Sequence, residues 1–167
     1  SLDSCRLEVN TGGAGGFAFG LSRARAVKSD WIWIMDDDVS PVPDCLESLL
    51  AAPDHFGVRQ PCRYYADGEF VVSEAEKFNL FNPLRSLKSG MIRSAPSEDL
   101  QIEAFPFEGP LIKSNIVKRV DIPIASFFIL YDDTEYAIRL KKAGAQVCLV
   151  ARATMIRQLK PVYNKAL

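Results

Sequence analysis

Three consecutive aspartates, Asp36-Asp37-Asp38, stand directly after a five-residue apolar run, Trp31-Ile32-Trp33-Ile34-Met35. The run is aromatic and β-branched and too short for a helix, so it reads as a strand buried on both faces. A strand interior cannot hold unpaired carboxylates, because burying charge without a partner is very costly. The strand is therefore expected to end there, with the acids emerging at its carboxyl end, the edge at which ligands bind in open α/β sheets. Alternation along a strand points Asp36 and Asp38 the same way. Two carboxylates on one side form a hard-oxygen site suited to Mg²⁺ or Mn²⁺, ions that keep waters and take further ligands from phosphates. The alternative is an acidic turn that caps a helix beginning near Asp44.

The chain has 167 residues, enough for one domain with its own core. A net charge of −1 gives no electrostatic footprint for nucleic acid or an anionic membrane surface. No apolar stretch approaches the roughly 20 residues that cross a bilayer, and no signal peptide is recognised at the start. The four cysteines, Cys5, Cys45, Cys62 and Cys148, have no metal spacing, and one histidine, His55, leaves a zinc site without ligands. The cysteines are expected to be mostly buried and reduced. His55 lies in a Pro-Asp-His-Phe-Gly turn and is read as a surface or capping residue rather than a catalytic one.

Along the chain, residues 6–9 alternate as a short strand, and a glycine-rich loop, Asn10-Thr-Gly-Gly-Ala-Gly-Gly16, follows. A helix is expected over 17–27, the strand at 31–35, and a short amphipathic helix over 44–52 after Pro41 and Pro43. Residues 58–61 and 70–72 suggest strands, and 79–100 an irregular loop of the kind that often carries function. A helix is expected over 111–120, a second buried aromatic strand at 127–131, a helix over 134–144 and a last strand at 146–150. Strands alternating with helices give the α/β class.

The glycine loop alone is ambiguous. It permits close backbone approach to a ligand and puts a helix N-terminus near a phosphate, but a purely structural tight turn fits equally well. It lacks the Gly-Lys-Ser/Thr of a Walker loop and the dinucleotide fingerprint. Asp132-Asp133 is a second acidic pair behind an aromatic run, just before a helix. An acidic helix start is one reading. The other is that two acidic strand ends converge on one crevice, one set holding metal and the other supplying a general base.

The string Asn10-x-Gly-Gly-x-Gly-Gly-Phe, then Trp-Ile-Met-Asp-Asp-Asp-Val-Ser-Pro-x-Pro, resembles the inverting family 2 glycosyltransferases of the GT-A fold. So does Phe107-Glu108-Gly109-Pro110-Leu-Ile, followed by Phe-Phe-Ile-Leu-Tyr-Asp-Asp-Thr-Glu-Tyr-Ala-Ile-Arg-Leu-x-x-x-Gly. Within that family the sequence is most similar to galactofuranosyl- and rhamnosyltransferases of bacterial surface polysaccharide synthesis, from about Val9 to Arg157. The resemblance implies a mixed sheet flanked by helices and an Mn²⁺ or Mg²⁺ cofactor. It implies a UDP- or dTDP-sugar donor, a glycan acceptor and transfer with inversion. Asp36 and Asp38 would hold the metal, with Asp37 near the donor sugar or ribose. Asn10, Gly12 and Gly13 match the loop beside the donor, and Phe107, Glu108 and Gly109 an aromatic loop at the acceptor site. Asp133 occupies the place of the general base, and Asp132 would position the acceptor or the base. The family's metal-binding His after the last strand is replaced by Arg157, which either contacts the diphosphate directly or weakens metal binding. The N-terminal segment that reads the nucleotide base has no match, so the chain is expected to be one N-terminally incomplete domain over 1–167. A cytoplasmic location is implied, with association at the inner face of the plasma membrane left open. Competing functions are Mg²⁺-dependent phosphoryl transfer and a non-catalytic sugar- or partner-binding fragment.

Overall fold

The computed structural model describes residues 3–82 and 84–160. Its centre is a mixed sheet. The first helix, α1 (Gly12–Ala26), precedes β1 (Trp31–Trp33) and β2 (Val39–Pro41), and α2 (Cys45–Ala51) leads into β3 (Val58–Tyr65). A separate two-stranded sheet pairs β4 (Ala75–Phe78) with β5 (Lys88–Met91). Then follow β6 (Leu100–Ile102), β7 (Leu111–Lys113), α3 (Ser114–Arg119), a 3₁₀ turn (Ala125–Phe127), α4 (Asp132–Lys142) and β8 (Val147–Arg157). The main sheet runs β1-β7-β3-β8-β2, with β6 also paired to β8. Its β3–β8 pair is parallel and its other pairs are antiparallel.

The start of β8 explains the layering. Val147, Cys148, Leu149 and Val150 are all buried, as expected of a strand paired on both sides and covered on both faces. Successive side chains point to opposite faces. Val147 and Leu149 join the large core under α1, α3 and α4, with Ile102, Ile112, Tyr136 and Leu140. Cys148 and Val150 join the smaller core under α2, with Cys45, Leu49 and Phe56. Arg59 completes that second layer: its buried guanidinium donates to the Leu49 and Leu50 carbonyls, each at 2.9 Å, and lies over the Trp31 ring. It thereby gives the Leu50 carbonyl at the end of α2 a donor and adds a second one to the Leu49 carbonyl, which also accepts from Ala52 N–H.

One irregularity positions the site. Residues 58–61 of β3 pair with 147–150, but Cys62 then pairs with Thr154, so residues 151–153 bulge out of β8. Beyond the bulge, Arg157 ends β8 opposite Tyr65 of β3 and Val39 of β2.

Several sequence expectations are corrected. Residues 6–9 form no strand. The glycine-rich segment is not a loop: α1 starts at Gly12 and runs through the glycines. The strand at 31–35 is regular only over Trp31–Trp33 and lies at the edge of the described sheet, half-buried rather than enclosed on both faces. Residues 70–72 contribute a single bridge, Phe70 to Tyr64. Within 79–100 stands β5; Pro83 lies outside the described residues. Residues 111–120 split into β7 and α3, and the last strand runs to Arg157 rather than ending at 150. The largest correction is at 127–131, which is no strand but an exposed turn segment. His55 is exposed in its turn and stacks on Phe56. Cys45, Cys62 and Cys148 are free and buried, whereas Cys5 is exposed.

Candidate functional site

The chain leaves β1 through Ile34, whose N–H donates to the Pro110 carbonyl at 3.0 Å and whose carbonyl accepts from Gly109 N–H at 2.9 Å. It then turns through the three aspartates into β2. Asp38 is tied to the end of β8: its carbonyl accepts from Gln158 N–H at 2.7 Å, and its carboxylate lies 3.5 Å from Arg157 Nε. One carboxylate oxygen from each of Asp36, Asp37 and Asp38 lies within 4.8 Å of the others. Asp38 Oδ1 is buried with no hydrogen-bond partner among the described residues. Such an orphaned acceptor is costly unless something fills the gap, and a hard divalent cation fits this all-oxygen donor set. The Asp36 carboxyl is raised above the usual aspartate range by desolvation and by the charges of Asp38 and Asp37, against the Asp37 N–H that it accepts. A bound cation would relieve that crowding.

Opposite stands the start of α4. Asp132 is buried, and its carboxyl is pushed up by desolvation, by Asp133 and by the charge of Asp36. The two acidic groups therefore feel one another across a cavity of about 280 Å³. Its walls are Gly13 and Phe17 of α1, Asp36, the loop Pro106-Phe107-Glu108, then Ile129, Leu130, Asp132 and Asp133, and Arg157. A groove of about 450 Å³ between α1 and β1 shares Gly13, Phe17 and Asp36 with it. Asp133 Oδ1 accepts from the Thr134 N–H and hydroxyl, which fixes the carboxylate and leaves Oδ2 unengaged by them.

Two glycines are required by close approach. Gly12 has φ +67°, and a Cβ there would lie 2.1 Å from the Phe128 carbonyl oxygen, which accepts from Ala14 N–H at 3.0 Å. Gly109 has φ +95°, and a Cβ would meet Met155 Sδ at 2.7 Å and Pro61 Cγ at 2.8 Å. Gly12 thus docks the 124–131 segment onto α1, and Gly109 seats the Phe107–Gly109 turn on the sheet. Phe107 is buried between Phe17 and Tyr136, with ring centroids 4.8 and 5.7 Å away.

Of the residues singled out in the sequence, Gly13, Asp36, Phe107, Glu108, Asp132, Asp133 and Arg157 line the cavity. Asp38 backs it through Arg157. Asp37 is exposed on the same turn. Asn10 stands outside, where its side chain accepts from Gly12 N–H at 2.9 Å and shapes the start of α1. Gly109 stands behind the lining, its carbonyl accepting from Trp33 Nε1 at 2.8 Å. Arg157 pairs with Glu108 at 3.6 Å as well as with Asp38. Sequence reasoning missed Arg63, Glu74 and Gln60, all buried behind the Glu108 loop. The signal was present: Val58-Arg-Gln-Pro-Cys-Arg63 places polar and charged residues inside a strand, where each needs a built partner.

The fold and the chain have known likenesses. The chain is 30% identical to a galactofuranosyltransferase GlfT1 of Mycolicibacterium smegmatis over 159 residues, 85% of this chain and 49% of that protein. It is 30% identical to the Mycobacterium tuberculosis galactofuranosyltransferase GlfT1 over 146 residues, 81% of this chain and 45% of that one. The chain thus spans about half the length of the curated relatives it matches. The structure superposes on that of GalNAc-T7, solved with UDP, GalNAc and Mn²⁺, with a TM-score of 0.66, covering 95% of this chain and 32% of that one at 13% identity. That likeness establishes a GT-A glycosyltransferase fold. Residues 4–99 match the model of glycosyl transferase family 2, and the chain belongs to that family.

Proposed function

We propose that this chain carries the catalytic site of an inverting glycosyltransferase. It would move a sugar of the galactofuranose or rhamnose type from a UDP- or dTDP-linked donor to a glycan acceptor in cell-surface polysaccharide synthesis. The observation that carries this reading is the meeting of Asp36, Asp132, Asp133 and Arg157 around one cavity, within a family of glycosyl transferases. The solved GalNAc-T7 structure holds UDP and Mn²⁺, which favours UDP and Mn²⁺ or Mg²⁺ here.

Asp36 and Asp38 would hold the divalent cation, which supplies charge neutralisation for the donor diphosphate. Arg157 presents a permanent positive charge beside them and would bind the same diphosphate, an anion its fork geometry suits. Asp133, with Oδ1 fixed by Thr134, would accept the acceptor hydroxyl's proton at Oδ2. Asp132 would orient the acceptor across from Asp36. Phe17 and Phe107 keep that end of the cavity apolar and limit water. One base opposite a stabilised leaving group suffices for single displacement, which inverts the anomeric centre. No helix among the described residues is long and apolar enough to cross a membrane; we place the enzyme in the cytoplasm, where nucleotide sugars would reach it.

The test is a panel of UDP- and dTDP-sugars with Mn²⁺ on the full-length protein, read by thermal shift and by slow donor hydrolysis. Binding and hydrolysis of one donor are expected. A protein that binds a sugar but hydrolyses no nucleotide sugar would instead be a binding module.

A further inference from the structure

Behind the cavity runs a line of alternating charge that the family match does not assign. Arg63 of β3 is 1% exposed and contributes nothing to the cavity wall. Its Nε and one terminal nitrogen donate to Glu74 Oε1 at 3.0 and 2.9 Å, and Ser73 Oγ accepts from the same terminal nitrogen. Its other terminal nitrogen donates to Glu108 Oε2. Glu108 is thereby split: Oε2 belongs to Arg63, and Oε1 faces Arg157 at 3.6 Å. Arg157 in turn lies 3.5 Å from Asp38. The sequence of charges is Glu74, Arg63, Glu108, Arg157, Asp38, each opposite in sign to the next. Gln60 Nε2 donates to the Glu108 carbonyl at 3.0 Å, so backbone and carboxylate of Glu108 are both held from β3.

We infer that Arg63 is a positioning residue that, by gripping Glu108, holds the Arg157 guanidinium against Asp38 at the diphosphate end of the cavity. The geometry gives the reason for a fully buried arginine. Glu74 alone would neutralise it, yet its planar fork reaches a second carboxylate that lies at the cavity wall. Without that grip, Glu108 Oε2 is unpaired and the carboxylate can turn both oxygens onto Arg157, drawing the cation off Asp38. Lysine keeps the charge at position 63 but cannot hold Glu74 and Glu108 in one plane.

This inference rests on the transferase reading above, and a double-mutant cycle separates the two. Binding of Mn²⁺–UDP to the full-length protein is measured by calorimetry for the parent, Arg63→Lys, Arg157→Gln and the double variant, with urea unfolding of each to confirm folding. Arg63→Lys is expected to weaken binding about fivefold in the parent, yet by less than about twofold once Arg157 is Gln, since residues acting through one network are not additive. Glu108→Gln, which leaves Arg63 its Glu74 partner, should erase the same coupling. Additive losses, or a folded Arg63→Lys protein that binds as the parent does, overturn the inference while leaving the transferase reading intact. If the parent binds neither UDP nor dTDP, the transferase reading fails and takes this inference with it. If Arg63→Lys does not fold, Glu108→Gln in the Arg157→Gln background decides: additive weakening there overturns the inference.

Discussion

The two acid-bearing junctions look alike in sequence and differ in structure. Each follows an aromatic, β-branched run, 31–35 in one case and 127–131 in the other. The first run finds a partner: Trp31, Ile32 and Trp33 pair with Lys113, Ile112 and Leu111 of β7. The second finds none among the described residues. It forms a 3₁₀ turn and an exposed segment in which Ile129, Leu130 and Tyr131 are about two-thirds exposed. Phe128 and Tyr131 sit there at φ 64° and 68°, positions that non-glycine residues seldom adopt. A strand is thus a property of a pair, and an apolar run without a neighbouring edge is not one. The difference also divides labour. The Asp36–Asp38 turn is bolted to β8 and to the Gly109 loop and can hold fixed ligands. The Asp132–Asp133 junction is reached through a segment strained at two residues and pinned to α1 by one carbonyl, a place where strain is commonly kept for function.

If the first junction is the rigid donor end, its loss should be the most damaging. Asp38→Ala is expected to lower transfer by roughly 10²–10³-fold, the range for removing a group that stabilises developing charge. Mn²⁺–UDP binding should fall with it, and Asp36→Ala should behave alike. Calorimetry showing both variants bind Mn²⁺–UDP as tightly as the parent would remove the metal assignment.

The second junction is then expected to affect turnover rather than donor affinity. Asp133→Asn should lower turnover by roughly 10²-fold, the usual size for a general base, with donor binding nearly unchanged. Asp132→Asn should cost less and act on acceptor KM. Asp132 is the more buried of the two and the one that senses Asp36, so the assignment is open to direct reversal: if Asp132→Asn gives the larger loss, the base is Asp132.

Between these in kind is the pin that joins the segments. Gly12→Ala places a methyl on the Phe128 carbonyl at a positive φ, and is expected to cost about 2 kcal/mol or more of stability by urea unfolding. A neutral substitution would mean that the 124–131 segment does not rest on α1 as the structure has it.

How much of this could be read in advance follows from the same physics. Gly13, Asp36, Asp132, Asp133 and the aromatic turn at 107 carry chemistry in their residue types, so their meeting at one cavity was legible. Asp36 and Asp133 share its wall, whereas Asp38, the acid expected to face Asp133, stands behind Arg157. The strands themselves were less legible, because pairing is non-local: nothing in 31–35 says that it lies at an edge, and nothing in 127–131 says that no strand comes to meet it. The glycine segment misled for another reason. Glycine's cost in a helix argues for a loop, yet α1 runs through Gly12, Gly13, Gly15 and Gly16. A Cβ at Gly12 would meet the Phe128 carbonyl and one at Gly15 the Thr11 side chain, while Gly13 and Gly16 face no such obstacle. Arg63 was missed because its partners lie eleven and forty-five residues away in sequence.

The smallest predicted effect tests whether the strain at the second junction is merely tolerated. Tyr131 sits in the left-handed region, φ 68° and ψ 2°, at the residue before α4, and the residue is 65% exposed. Its carbonyl accepts from Glu135 N–H at 2.8 Å, a backbone bond that any residue can make. Asparagine enters this region more readily than tyrosine, and little ring packing would be lost. Tyr131→Asn is therefore expected to raise stability by about 0.5 kcal/mol, seen as a small upward shift of the urea midpoint. What happens to transfer decides the rest. Unchanged turnover means the tyrosine is only a strained connector. A fall in turnover with stability raised means the exposed ring, set between Leu130 and Asp132 of the cavity wall, is held there to meet the acceptor. A loss of stability would refute the conformation assigned to the junction, since relief of strain and an asparagine at the N-cap of α4 both act to stabilise it.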